Sequence, residues 1–196
     1  MKFIDLGLPS GTLWAEKNLV LNGKDRFMWA QVDLVDKNSP YLEEIKAEVD
    51  SESESITMVK KYNSYPCYGV VDNKSYLELT DDIAYRLGNN EWRIPSIFDF
   101  IELLDVDLCE MMTDRENEGL WIKSKKNGNK VFFGLGRYWS NTLYEKDPTN
   151  AYIFCITCSN MYLVNLHRKE PYLFYAQINA TYRSNDLKIR PVLIKN

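Results

Sequence analysis

Residues 91–104 read "EWRIPSIFDFIELL". Ser96 is a favoured helix N-cap, and Asp99, three residues on, is the acidic partner of a capping box. Pro95 keeps Ile94 extended, so the helix is entered from a strand-like segment. Ile97, Phe98, Phe100, Ile101, Leu103 and Leu104 form a broad apolar face, which predicts a deeply packed helix. Trp92 fits a core anchor. Arg93 carries a fork of donors suited to loop carbonyls or a carboxylate.

Working outward, "TDDIAYRLGN" (80–89) predicts a short helix with Thr80 as N-cap, Asp81 and Asp82 at its positive end and Gly88 past its end. "FIDLGL" (3–8) and "LWAEKNLVL" (13–21) are extended, followed by the turn "NGKD". "SPYLEEIKAEVDSESES" (39–55) predicts a short helix and then a polar loop, an acidic helix/loop insertion around 40–56. Downstream, "LWIKS" and "KVFFG" flank "KKNGN" as a β-hairpin. "RYWSN" (137–141) starts a strand. "AYIFCITCSNMYLVNLH" (151–167) suggests a strand, a turn at Ser159-Asn160 and a partner. "YLFYAQINATYR" (172–183) is extended, and "LKIRPVLIK" (187–195) closes the chain. Strands, two helices and a run of strands argue an α+β fold in a single domain, 1–196. "FIDLGL" and "IRPVLI" are expected to pair.

The chain has 196 residues, a net charge of −4 and 45% hydrophobic residues, values that fit one globular domain with a sizeable core. Nothing is basic enough to argue for nucleic acid or an anionic membrane. No run approaches the about 18 apolar residues of a membrane span. "MKFIDLGLPSG" has no apolar signal region, so a cytoplasmic location is expected. Charge is uneven. Glu43, Glu44, Glu48, Asp50, Glu52 and Glu54 stand against Lys46 alone, whereas the end carries Arg168, Lys169, Arg183, Lys188, Arg190 and Lys195. Such asymmetry suits a solvated acidic insertion, or a charge-complementary contact with a neighbour.

The cysteines are Cys67, Cys109, Cys155 and Cys158. On a strand, "CITC" places positions 155 and 158 about 10 Å apart on opposite faces. A disulfide needs Cα atoms closer than about 7 Å, so two reduced thiols are expected. His167 is the lone histidine and has no triad context. "KDPTN" supplies Asp147, Pro148 and Asn150, better read as a turn than as a calcium loop, since calcium wants six to eight oxygens. No catalytic constellation, metal site or cofactor site is expected.

"IDLGLPSGTLWA", "WRIPS", "KSKKNGNKVFF", "YWSNTLY" and "IRPV" occur in that order along the chain. Together they resemble the Fibrobacter-succinogenes-type major paralogous domain of Bacteroidetes and their phages. That family is similar in turn to C-type-lectin-like domains. The resemblance implies paired terminal strands, two main helices and a second small antiparallel sheet carrying long loops. It also implies a non-enzymatic binding or assembly module, most simply a phage virion protein (capsid decoration, head fibre or tail component). Alternatives it raises are a formylglycine-generating-type oxidase and a retroelement-diversified receptor binder.

The sequence is rich in tyrosine, with 13 residues. Tyr, Asn and Arg give rigid, amphipathic contact area with adaptable hydrogen bonding. The candidate loop surface is Tyr144, Asp147, Asn150, Asn165, His167, Arg168, Tyr172, Tyr175, Tyr182 and Arg183. Structural anchors are expected at Trp14, Trp92, Arg93, Trp139 and Arg190. The expected partners are proteins, including virion proteins or the chain itself, or a host surface protein or glycan.

Overall fold

The middle strand of the central ladder is apolar on both of its faces over residues 151–156, so both must be covered. The computed structural model, which describes residues 1–34, 39–49, 52–160 and 172–194, covers them with two separate cores. The ladder strands are β9 (Gly136–Leu143) and β10 (Asn150–Asn160), with β11 (Tyr172–Tyr182) outside β10. Trp139, Ala151, Ile153 and Cys155 face one core with Phe27, Trp29 and Tyr62. Tyr138, Phe154 and Ile156 face the other with Trp14, Phe100 and Phe133. Alternate residues of a strand point to opposite faces, which also separates Cys155 from Cys158. Both thiols are free, as expected.

Three further antiparallel sheets surround the ladder. The first joins β1 (Phe3–Asp5), β2 (Leu13–Ala15), β12 (Val192–Leu193) and β5 (Trp92–Arg93), in that order. The second is β6 (Cys109–Asp114), β7 (Gly119–Ser124) and β8 (Lys130–Gly134). The third is a ribbon of β3 (Leu42–Val49) and β4 (Glu52–Val59). Two helices, α1 (Ile83–Leu87) and α2 (Ile97–Leu104), complete an α+β architecture dominated by strands.

The expected capping box is present. Asp99 N–H donates to Ser96 Oγ at 3.2 Å, and Ser96 N–H returns to Asp99 Oδ2 at 2.7 Å. Phe100 stacks on Phe154 at 4.7 Å between ring centroids. The apolar face is narrower than expected, however. Phe98 is 62% exposed and Ile101 46%, because the inward stripe of this eight-residue helix is Ile97, Phe100 and Leu103, with Leu104 half-buried beside it.

Other expectations need correction. Where a helix and loop were expected, residues 42–49 and 52–56 are strand and build most of the ribbon, in which Ile45 pairs with Ile56. Strand preference depends on context, and cross-strand pairs such as Ile45 with Ile56 override the weak preference of Glu and Ser. Helix α1 is capped by Asp82, not Thr80; a 3-10 turn at Leu79–Asp81 precedes it. Strand β12 pairs with β2 and β5, so β2 lies between the two terminal strands. Strand β10 runs straight through Ser159 and Asn160, which pair with Leu173 and Tyr172.

The motifs quoted above work as joints. Thr12 Oγ1 donates to Asp99 Oδ1 at 2.5 Å, and Ser10 binds Glu102 through N and Oγ. Glu102 therefore holds the first loop. Asn127 and Asn129 of the hairpin turn both donate to the Asp5 carbonyl, at 2.9 and 2.7 Å. Trp139 Nε1 donates to Phe27 O at 2.7 Å. Arg190 binds the carbonyls of Ala15 and Glu16 and the side chain of Asn18. Burial pulls the Arg190 guanidinium down to about 10, with Tyr138 opposing. Trp14, Trp139 and Arg190 are buried anchors. Trp92 is only half-buried, against Phe3 at 5.7 Å.

Candidate functional site

The ribbon and the base of the β10–β11 hairpin are two walls of an open groove of about 990 Å³. Leu42, Glu44 and Thr57 line the ribbon side, and Thr149, Tyr182 and Ser184 the other. Tyr182 is 62% exposed and forms an aromatic platform. Hydroxyls dominate the lining, and Lys60 and Glu43 form an exposed ion pair of 2.8 Å at the ribbon wall.

The ribbon wall is fixed at its root by a polar network. Asp81 accepts from Tyr41 OH at 3.0 Å, Tyr62 OH at 2.5 Å and Lys61 Nζ at 2.6 Å. Lys61 also reaches Glu78 at 2.5 Å. Burial opposes the Asp81 charge, but the bonds from Lys61, Tyr62 and Tyr41 hold its carboxyl below the usual range. Burial lowers the Lys61 pKa; bonds to Asp81 and Glu78 outweigh it and raise the ammonium above its ordinary value. Burial and the Asp81 bond raise Tyr62.

Arg183 was expected on the contact surface. It is instead fully buried behind Tyr182. Its Nη1 donates to the carbonyls of Lys61 at 3.2 Å and Pro148 at 2.9 Å, joining ribbon root to hairpin base. The guanidinium lies 4.6 Å from the Trp29 ring and 5.6 Å from that of Tyr62. Burial pulls it down to about 10, opposed by Tyr62 and Asp72. A side chain this short of solvent serves as a strut, not a contact.

No protein-family model, curated protein or solved structure matches this chain.

The other candidates divide. Asp147 staples the turn between β9 and β10: it accepts from Thr149 N at 2.9 Å, Thr149 Oγ1 at 2.7 Å and Asn150 Nδ2 at 2.8 Å. Tyr144 stands edge-on to Tyr152 at 5.2 Å, half-buried. These residues shape the hairpin base beside Tyr182. Tyr175 is exposed but lies seven residues along β11, about 23 Å away at 3.3 Å per residue. Tyr172 begins that strand, and Asn165, His167 and Arg168 lie outside the described residues. Among the described residues, no group of three or more His, Cys, Asp or Glu is placed to hold a metal ion, and no helix is long and apolar enough to cross a membrane.

The network of Tyr41, Lys61, Tyr62 and Asp81 was not anticipated. The doubled acid at 81–82 was the available signal. One carboxylate suffices to cap a helix, which leaves the other for a different partner.

Proposed function

We propose that the chain is a binding and assembly module of C-type-lectin-like type, working as a structural component of a phage virion. The observation that carries this reading is the groove itself. Two β-hairpins stand either side of it, their roots locked by Asp81 and Arg183, and they present Tyr182 among hydroxyls. A rigid frame lowers the ordering cost of a contact, and Tyr with hydroxyl neighbours gives area and hydrogen bonds together. A protein partner is favoured, because an extended groove between strands suits a peptide segment or loop.

The lectin-like assignment draws support from the sheet that joins the first strands to the last one, and from the way the quoted motifs meet in the interior. The oxidase alternative gains nothing from Cys155 and Cys158, which face opposite sides of β10. A photocrosslinker at Tyr182, in particles of the encoding phage, should yield adducts with another virion protein. Particles whose mass spectrum lacks this chain would overturn the virion assignment. Adducts to glycan alone would overturn the protein partner.

A further inference from the structure

The two outer edges of the central ladder differ. That of β9 is closed by other backbone: Leu77 N–H donates to Asn141 O, Leu143 N–H to Ser75 O and Trp139 N–H to Lys188 O. That of β11 pairs with no strand among the described residues. Arg183 N–H donates to Thr149 O, which sets the alternation along the antiparallel pair. Odd-numbered residues of β11 turn their backbone groups toward β10, and Phe174, Ala176, Ile178 and Ala180 turn theirs outward. Ala180 N–H finds only the side chain of its neighbour Asn179, at 2.8 Å.

An open edge is ordinarily blunted by charge, by Pro, by a bulge or by shortness. Strand β11 has none of these. Its 11 residues, "YLFYAQINATY" (172–182), include no charged residue, no Pro and no Gly, and its pairing with β10 runs without a bulge. Each of the other outer strands, β1, β3, β4, β5, β6, β8 and β9, carries at least one charged residue. At about 3.4 Å per residue the bare edge is about 35 Å long.

We propose that β11 pairs antiparallel with β11 of a second copy across a two-fold axis, joining two ladders into one continuous sheet. Self-complementarity selects this occupant. With Gln177 opposite the partner's Gln177, the strands overlap along their whole length, and each outward backbone group meets one on the other copy. Side chains then fall large against small: Phe174 opposite the partner's Ala180, Ile178 opposite the partner's Ala176 and Tyr175 opposite the partner's Asn179. No like charges meet, which a strand paired with itself requires. Phe174, Ala176 and Ile178 pack on one core but stay partly exposed, so the layer beneath stops short of the edge and leaves room for the partner. On the other face Leu173 and Tyr175 are 45% and 42% exposed. The contact uses the same patch on both copies and closes at a dimer. It is independent of the Tyr182 groove, whose lining includes none of residues 173–181.

Sedimentation of the purified full chain over a concentration series tests it. The wild type should form a dimer that grows no further and that salt leaves unchanged, because no charges are paired across it. Gln177→Lys and Gln177→Glu should each weaken the dimer about fivefold, since like charges then face each other at the axis. Mixing the two variants should restore it. Ala176→Pro should abolish it: this N–H points away from β10, so the ring removes an outward donor and spares the ladder within the chain. A urea midpoint near that of the wild type shows that a variant is folded, and the Gln177 variants carry the test should Ala176→Pro not fold. A monomeric wild type overturns the proposal, as do species that grow beyond a dimer, Gln177 variants that associate normally, or a mixture that fails to recover. The Tyr182 crosslink in particles is read separately: another virion protein captured there supports the groove whether or not the chain dimerises.

Discussion

Arg93 holds Asp99 with both ends of its guanidinium, Nη1 to Oδ2 at 2.7 Å and Nη2 to Oδ1 at 3.1 Å. Asp99 is also the second half of the α2 capping box and the acceptor for Thr12. One carboxylate therefore joins the first loop, β5 and α2. Burial opposes its charge, but Arg93, Thr12 and Ser96 hold it below the usual carboxylate range. Removing Arg93 leaves a buried charge uncompensated. Arg93→Ala should cost about 3–5 kcal/mol in urea unfolding. Arg93→Lys should recover less than half of that, because an ammonium cannot reproduce the two-pronged geometry.

The pH dependence of this pair has a definite sign. A carboxyl whose folded pKa is depressed contributes stability above its unfolded pKa, near 4, and loses it as pH falls through the folded value. Wild type and Asp99→Asn should therefore differ most at neutral pH, and their unfolding free energies should converge in strong acid. A difference independent of pH would show that Asp99 acts only by shape.

Asp82 should behave in the opposite way. Burial pushes its carboxyl up to about 6, against the pull of backbone N–H groups of Ile94, Tyr85 and Ala84. Its folded pKa thus lies above that of a carboxyl in the unfolded chain, near 4. Ionising it thus weakens the fold progressively from about pH 4 to pH 6. The span corresponds to an order of 3 kcal/mol. Asp82→Asn cannot ionise, although it loses an acceptor for the Ile94 N–H. Its stability relative to wild type should improve as pH rises through that window and level off above it. Urea midpoints at several pH values supply the measurement.

Much of the fold was legible where local chemistry and packing agree. Ser96 with Asp99 and the "NGN" turn each declare an element and its boundary, and both are present. The ribbon was not legible. Leu42, Ile45 and Val49 fit a helical spacing, whereas Ile45, Ala47 and Val49 fit a strand's, and only pairing with Ile56 decides between them. Arg183 was misplaced for a related reason. A cationic side chain at a strand end reads as surface, and burial became tolerable only through carbonyls of Lys61 and Pro148, far away in sequence. Tyr182, its neighbour, is exposed, since a tyrosine at the surface needs no such partner.

The tryptophans should rank by burial. Trp139 is fully buried and donates to Phe27 O, whereas Trp92 is half-buried. Trp139→Ala should cost about 3–5 kcal/mol, the range for a large core truncation. Trp92→Ala should cost about 2 kcal/mol, since less area returns to water. Equal losses by thermal or urea unfolding would contradict the ranking.

Gly119 allows the sharpest steric prediction. It begins β7 and pairs with Gly134. A Cβ built on it would lie 2.3 Å from the Phe133 carbonyl oxygen and 2.8 Å from the Gly134 Cα. Backbone atoms cannot swing aside as a side chain can, so the β7–β8 ladder would have to open. That ladder positions Phe133 inside one core and Trp121 with Phe132 outside it. Gly119→Ala should therefore cost about 2 kcal/mol or more, a strain penalty and not a loss of contacts. Gly128, in the hairpin turn, is the control. Nothing lies within 4 Å of its Cβ position, but its φ is +76°. Asn tolerates that backbone region, so Gly128→Asn should cost well under about 1 kcal/mol. Should Gly119→Ala unfold at the wild-type urea midpoint, the close approach of β7 and β8 would be refuted.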